Sequence, residues 1–180
     1  MIETIISNNC AGGAIMHELG MEFRTPTVNL QILPEQFPKF CKNLSYYLTT
    51  ELRELYELSD THIQYLNKMF GGVPDLPIGV LNDVLVVFQH YDSLVQAKAK
   101  WDERRMRVSY NSIGYLMHAR GPEYKKEAEE FLALDLPNKL CLTQGFSIEG
   151  AVSFEGEAFS SVNGKALITQ VYDFKKWVRG

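Results

Sequence analysis

The thiol of Cys10 and the imidazoles of His90 and His118 are the side chains best suited to catalysis in this chain. Thiols and imidazoles serve as nucleophiles and general bases near neutral pH. Each of the three lies at or just past the end of a run of β-forming residues. Cys10 also precedes a predicted helix, and a thiol at a helix N-terminus has a lowered pKa. We therefore predict Cys10 and His90 as catalytic residues; the alternative for Cys10 is a small side chain chosen for a crowded turn.

The turn around Cys10 contains Asn8, Asn9, Gly12 and Gly13. Glycine allows a close backbone approach, and a helix N-terminus attracts anions. Asn amides can orient ligand hydroxyls or stabilise the turn itself. The turn has neither a complete GxGxxG nor a Walker A pattern. We predict these four residues as ligand-binding, for a phosphate or a carboxylate, and an ordinary tight turn is the alternative interpretation.

The elements that must position these side chains alternate between strands and helices. Runs of β-branched and apolar residues predict five successive strands, at 2–7, 27–33, 80–88, 113–117 and 140–143. Helical segments separate them, and such alternation implies right-handed crossovers. We predict an α/β fold of three layers, with a mostly parallel or mixed sheet and helices on both faces.

The helices are predicted from apolar spacing and from capping residues. Apolar residues three or four apart predict one amphipathic helix over 37–55. Ser93 and Gln96 fit a capping box, at the start of a helix that should end near residue 107. Asp173 is predicted to cap a last short helix.

The C-terminal part changes character, and 151–154 and 167–171 are predicted as strands around glycine-rich turns. The chain has no linker, repeat or low-complexity tract. We therefore predict one domain over 1–180, with 51–76 as a candidate insertion.

Ligands of open α/β sheets bind outside the carboxyl ends of the strands. His118 and Arg120 follow the fourth predicted strand, so we predict them as ligand-binding residues on the same rim as Cys10 and His90. Arg104, on the helix after His90, could either belong to a solvated face or grip an anion. If that helix runs antiparallel to its strand, Arg104 lies at the opposite edge.

Composition excludes several classes of protein. The 180 residues carry a formal net charge of −4, which is unfavourable for nucleic-acid binding. Three cysteines lie far apart, which gives neither a disulfide framework nor a zinc-ligand spacing, so we predict no metal and no cofactor. Reduced thiols and the lack of an export signal or transmembrane segment predict a cytoplasmic protein. A homo-oligomer is left open.

Several blocks of sequence together resemble a bacterial family of uncharacterised proteins, the domain-of-unknown-function family numbered 1919. Its members are often labelled exopolysaccharide biosynthesis proteins. The resemblance covers most of the chain, and its blocks are residues 5–13, 25–28, 77–83, 88–107 and 172–177. Two departures are Ala11, where the family often has a bulky aromatic residue, and the stretch 51–74, which fits the pattern poorly.

The resemblance implies an α/β fold and a link to cell-surface glycan assembly, but no established reaction. Combined with the predicted rim, it favours a transferase of polysaccharide biosynthesis that uses a phosphate-bearing activated donor. The partner would be a small-molecule or glycan substrate. A non-catalytic module that binds a carbohydrate or a protein partner is one alternative. A hydrolase or acyltransferase that depends on Cys10 is the other.

Overall fold

The computed structural model describes residues 1–180 and contains ten strands and seven α-helices. The strands are β1 (Thr4–Ser7), β2 (Leu30–Ile32), β3 (Arg53–Glu54), β4 (Ile78–Leu81), β5 (Val84–Phe88), β6 (Ile113–Ala119), β7 (Lys139–Gln144), β8 (Val152–Phe154), β9 (Ser161–Val162) and β10 (Lys165–Ala166). The α-helices are α1 (Ala11–Glu18), α2 (Phe37–Lys42), α3 (Leu44–Thr49), α4 (Asp60–Phe70), α5 (Leu94–Arg105), α6 (Lys125–Ala133) and α7 (Phe174–Arg179).

One four-stranded sheet is entirely parallel, with the order β1-β6-β7-β8. Ser7 pairs with Leu116, and Thr143 pairs with Ser153. The carboxyl ends of all four strands therefore meet at one edge, as the alternation of strands and helices predicted. This sheet, the second sheet and the helices confirm the predicted α/β class.

The second four-stranded sheet is antiparallel, with the order β2-β5-β4-β3. The prediction of one continuous strand over 80–88 is wrong, because the chain reverses between β4 and β5. Asn82, at φ 57°, occupies the left-handed conformation that asparagine tolerates in turns. Asp83 therefore lies in a hairpin turn rather than inside a strand.

The core follows the alternation of side chains across the strands. Ile6 and Met117 of the parallel sheet and Val86 of the antiparallel sheet belong to one cluster of 24 buried residues, which also contains residues of α2, α3, α5 and α6. The opposite face of the parallel sheet, including Leu116, packs against α1 and α7 in a second cluster. Helices and loops thus cover both faces of the parallel sheet, and the shared cluster joins the two sheets.

Two other local predictions are wrong. The predicted helix over 37–55 is interrupted at Asn43 (φ −117°, ψ 34°), which separates α2 from α3, and the chain then enters β3. The predicted strand over 167–171 contains a 3-10 helix, Leu167–Thr169. In both cases the apolar pattern identified buried positions but not the backbone conformation, which tertiary packing determined.

The capping predictions are closer to the structure. Ser93 Oγ accepts a hydrogen bond from the Gln96 N–H at 3.2 Å, while the Gln96 side chain accepts from Asp92 N–H at 3.0 Å instead of closing the box on Ser93. Asp173 Oδ1 accepts from the Lys176 N–H at 2.9 Å, which confirms the cap of α7.

None of the α-helices combines the length and the apolar character that a membrane-spanning helix needs.

The segment 51–76 contributes β3, at the edge of the antiparallel sheet, and α4. Lys68 of α4 lies 3.0 Å from Glu35 and 3.6 Å from Glu127, and its Nζ lies 4.3 Å from the centre of the Tyr124 ring. The carboxylate side chains are only 7% and 12% exposed. Apart from the ion pairs with Lys68, both oxygens of Glu35, Oε2 of Glu127 and the Tyr124 hydroxyl have no hydrogen-bond partner. We call Lys68, Glu35, Glu127 and Tyr124 the Lys68 cluster.

Candidate functional site

The side chain of Asn8 joins β1 to β6 at the carboxyl edge of the parallel sheet. Its Nδ2 donates to the His118 carbonyl at 3.1 Å, and its Oδ1 accepts from the His118 N–H at 2.8 Å. The Asn8 carbonyl accepts from the Ile32 N–H of β2 at 2.8 Å. Asn8 is fully buried and its backbone connects the two sheets, and its predicted role in ligand binding stays a prediction.

Asn9, His118 and Gln144 form a continuous hydrogen-bonded chain across three parallel strands, which we call the His118 network. Asn9 Nδ2 lies 3.0 Å from His118 Nδ1, and His118 Nε2 lies 3.1 Å from Gln144 Oε1. Asn9 Oδ1 accepts from the Ala11 N–H and Gln144 Nε2 donates to the Gly156 carbonyl, which fixes both amide orientations. His118 is therefore the neutral tautomer with its proton on Nε2.

The protein environment keeps the His118 imidazole neutral. Burial and, to a smaller extent, the positive charge of Arg120 lower the pKa of His118 from 6.5 to about 4, although the hydrogen bond to Gln144 acts to raise it. The imidazole is also fully buried. A neutral, inaccessible ring that is hydrogen-bonded at both nitrogens is suited to holding strands together. It is poorly suited to exchanging protons with a substrate.

Cys10 is held by Gln89, the residue that directly follows β5 of the antiparallel sheet. The Cys10 Sγ donates to Gln89 Oε1 at 3.0 Å. Burial raises the pKa of the Cys10 thiol to about 11, although a backbone hydrogen bond and the charge of Arg120 both act to lower it. The structure thus leaves Cys10 as a protonated thiol at neutral pH, in contrast to the lowered pKa expected at a helix N-terminus.

The glycines of the turn serve helix packing. A Cβ on Gly12 would lie 2.5 Å from Ser7 Cβ, so only glycine lets α1 approach β1 this closely. A Cβ on Gly13 would lie 3.3 Å from Val28 Cγ1. The Gly12 N–H donates to Ser7 Oγ at 3.3 Å, and Asn9 Oδ1 caps the Ala11 N–H at 3.0 Å. Two N–H groups at the start of α1 therefore already have partners within the chain.

His90 and Arg120 are exposed at the ends of β5 and β6, respectively. Neither side chain makes a hydrogen bond or an ion pair within the protein. Arg120 is nevertheless close enough for its charge to stabilise the thiolate of Cys10 and the neutral form of His118. The imidazole after β5 and the guanidinium after β6 are therefore both exposed and without a partner in the protein.

A cavity of about 290 Å³ opens beside the Cys10 turn. Its wall includes Cys10, Gly13, His17, Phe23, Asn29 and Phe159. The cavity thus combines two aromatic rings with a thiol, an imidazole and an amide. Its volume is near the lower limit for sites that hold small organic ligands, about 300 Å³. We call it the Cys10 cavity.

Arg104 lies beside the wall of this cavity, rather than at the opposite edge of the sheet where it was expected. Its guanidinium lies 5.8 Å from the centre of the Phe23 ring, and its Nη1 donates to the Tyr91 hydroxyl at 2.8 Å. That hydroxyl donates to the Val28 carbonyl at 3.3 Å, and Val28 is another wall residue. The sequence did not predict the contacts of Arg104 with Phe23 and Tyr91, because α5 runs beside the second sheet. It also did not predict the contact of Gln89 with Cys10.

Asp83, the acid that interrupts the apolar run before His90, is paired with residues of α2 and α3. It forms an ion pair with Lys39, and Tyr47 donates to its Oδ1 at 2.8 Å. Partial burial opposes the ionised carboxylate, but the contacts with Lys39 and Tyr47 prevail and lower its pKa. These contacts give Asp83 a structural role. No group of three or more His, Cys, Asp or Glu side chains is arranged to hold a metal ion.

Comparisons with known proteins place this chain in one family. The family described as "Domain of unknown function (DUF1919)" matches residues 2–178, so the chain belongs to it. A relative from Haemophilus influenzae, described as "Uncharacterized protein", is 31% identical over 187 residues, which cover 97% of this chain and 82% of the relative. Neither description states an activity.

Proposed function

We propose that this DUF1919 protein binds a phosphate-bearing sugar donor in the Cys10 cavity and acts as a transferase in cell-surface polysaccharide biosynthesis. The cavity is the observation that carries the proposal, because it opens at the Cys10 turn, which follows the carboxyl end of the parallel strand β1, and α/β proteins bind ligands at such ends. The unpaired guanidinium of Arg120 supplies positive charge to the same rim, which favours an anionic ligand.

In this proposal His90 is the general base, because its imidazole is exposed and it directly follows Gln89, which contacts Cys10 in the cavity wall. It would take the proton of an acceptor hydroxyl while that oxygen bonds to the anomeric carbon. The bond between that carbon and the donor phosphate would break, and the phosphate would leave as an anion beside Arg120. His118 would position the turn rather than accept the proton, because its ring is buried and bonded at both nitrogens.

Calorimetric titration with UDP-glucose and UDP-N-acetylglucosamine tests the donor part of the proposal. We expect saturable binding that Arg120→Ala weakens about tenfold, as the loss of a charge-assisted contact predicts. Lys126→Ala is the matched control, because Lys126 is an exposed cation that pairs with Glu130 on α6. No binding of a nucleotide sugar, together with unchanged cell-surface glycan after gene deletion, contradicts the proposal.

A non-catalytic binding module is the second candidate, favoured by the protonation states of Cys10 and His118. A thiol with a pKa of about 11 and an imidazole with a pKa of about 4 do not form a thiolate–imidazolium pair. For this candidate, the double variant Cys10→Ala, His90→Ala keeps full biological function. Loss of function with unchanged ligand binding would favour the transferase.

The same pKa values make a Cys10-dependent hydrolase or acyltransferase less favourable, and alkylation by iodoacetamide tests that alternative. With a pKa of about 11, the Cys10 thiol should react slowly at pH 7 and faster as the pH rises towards 11. Mass spectrometry of the Cys10 peptide measures the rate. Rapid modification below pH 7, with loss of activity in Cys10→Ser, would restore the thiol mechanism.

A further inference from the structure

Arg104 differs from every other cation of α5. Lys98 and Arg105 each pair with Asp102, at 3.7 Å and 3.0 Å, and Lys100 lies 2.9 Å from Glu103. Arg104 has no carboxylate within ion-pair distance, although its side chain is half-buried. A partly desolvated guanidinium normally has an anionic partner, so its absence here points to a partner outside the chain.

The surroundings of Arg104 hold its guanidinium in a defined place. The Tyr91 hydroxyl accepts from Nη1 at 2.8 Å and donates to the Val28 carbonyl at 3.3 Å, which ties Arg104 to the loop before β2. The Phe23 ring lies 5.8 Å from Cζ, a distance that allows a cation–π contact. Tyr91 also packs edge-on against Phe88 at 5.4 Å, so the residue that holds Arg104 is itself fixed.

Both contacts of Arg104, with Phe23 and with Tyr91, connect it to the wall of the Cys10 cavity. Phe23 and Val28 belong to its wall, together with Phe159 and Asn29. A ligand in the cavity would contact the rings of Phe23 and Phe159, and a group that extends from it past Phe23 would meet the Arg104 guanidinium, which makes one hydrogen bond within the protein. The planar fork of arginine matches the paired oxygens of a phosphate.

We propose that Arg104 recognises the phosphate of the ligand in the Cys10 cavity, and that this phosphate is carried on a ring that packs against Phe23. The inference rests on the proposed function for the identity of the cavity as the ligand site. It adds a recognition residue that contacts the ligand, and a ligand class, namely a ring-bearing phosphate ester. Tyr91 is a positioning residue, because it acts on the ligand through Arg104.

Phenyl phosphate is the probe, and phenyl β-D-glucoside is the neutral ligand with the same ring. We expect phenyl phosphate to shift the NMR signals of Phe23 and of Arg104 Nε–H saturably, and the glucoside to bind about tenfold more weakly. Arg104→Ala should weaken phenyl phosphate binding about tenfold or more, while leaving the affinity for the glucoside unchanged. Arg104→Lys keeps the charge without the fork and should recover only part of the affinity.

Arg107→Ala is the matched control, because Arg107 lies one residue beyond the C-cap of α5 and is ion-paired with Glu103. It should leave phenyl phosphate affinity within about twofold, whereas Tyr91→Phe should weaken it about threefold by releasing the guanidinium. Circular dichroism checks that each variant is folded. Equal binding by the wild type and Arg104→Ala, equal losses in Arg104→Ala and Arg107→Ala, or no binding of phenyl phosphate overturns the inference.

The outcomes also separate this inference from the proposed function. If phenyl phosphate binds through Arg104 but no nucleotide sugar binds, the transferase proposal fails while the recognition site stands. If nucleotide sugars bind and Arg104→Ala does not weaken them, the transferase proposal stands and the role of Arg104 is overturned.

Discussion

The His118 network and the Lys68 cluster are both buried and polar, but they are stabilised in different ways. In the network, both ring nitrogens of His118 have partners and the groups are neutral. In the cluster, one lysine faces two carboxylates, and several oxygens have no hydrogen bond. Satisfied neutral networks fix geometry, whereas buried charges depend on the continued presence of their counter-ion. The comparison predicts that the carboxyl edge is rigid, whereas the Lys68 cluster adds a charge-dependent contact to the apolar packing of Leu66, Met69 and Phe70 that also holds α4.

The substitution His118→Leu should have the largest effect on stability. It leaves the Asn9 amide and the Gln144 oxygen without partners inside the protein, so we expect a loss of about 3 to 4 kcal/mol in the free energy of unfolding. Urea denaturation measures the change. His17→Leu, at an exposed imidazole, should change stability by less than about 0.5 kcal/mol. A similar small change in His118→Leu would show that the network is dispensable.

Acidification should break the same network without a mutation. Because burial lowers the pKa of His118 from 6.5 to about 4, the unfolded chain binds a proton more readily than the folded chain between these values. The contribution of His118 is therefore complete above pH 6.5 and declines as the pH falls towards 4, by at most about 3 kcal/mol.

Urea denaturation at several pH values tests this, with the His118→Leu variant subtracting the titration of the carboxylates. The difference between wild type and variant should shrink as the pH falls from 6.5 to 4. A difference that is constant over this range would mean that His118 does not remain neutral in the folded state.

The substitution Lys68→Met should have a smaller but clear effect, because it leaves Glu35 and Glu127 without their shared cation. Lys68 is 32% exposed, so we expect about 2 kcal/mol at neutral pH rather than the full cost of a buried unpaired charge. Adding Glu35→Gln should recover part of the loss. Lys126→Met, at a side chain that is 82% exposed, is the control and should be nearly neutral. Equal effects in both variants would remove the distinction between the Lys68 cluster and a surface ion pair.

Of the four changes in stability predicted in this comparison, the substitution Gly12→Ala should cause the smallest. Its Cβ would lie 2.5 Å from Ser7 Cβ, so α1 must shift, at a cost of about 1 to 2 kcal/mol that helix propensity partly offsets. Gly72→Ala is the control, because its Cβ would meet no atom within 4 Å. Thermal denaturation compares the two. A stabilised Gly12→Ala variant would show that the turn is not close-packed.

Predictions from sequence succeeded where the determinants are local. The cap of α7 was predictable from Asp173, because a cap needs only residues a few positions apart. The shared edge of Asn9 and His118 followed from the strand–helix alternation, which nearly fixes the direction of parallel strands.

The failures involve contacts between distant parts of the chain. Asn82 is a residue type that favours a hairpin turn, but the apolar residues on both sides of it predicted one continuous strand instead. The Gln89 contact with Cys10 and the position of Arg104 depend on how the two sheets pack, which the sequence pattern does not encode. The catalytic roles of Cys10 and His90 stay predictions, as do the ligand-binding roles of the other site residues, Asn8, Asn9, Gly12, Gly13, His118 and Arg120.

Asn8 behaves as a substitute peptide group. Its side-chain amide exchanges two hydrogen bonds with the backbone of His118, as a neighbouring strand would, while its own carbonyl bonds to Ile32. One residue therefore extends the pairing of β1 with β6 beyond the end of β1 and also bonds to β2 of the other sheet. Aspartate, which matches the shape of asparagine but lacks the donor, would keep the backbone bond to β2 and lose one of the two bonds to β6.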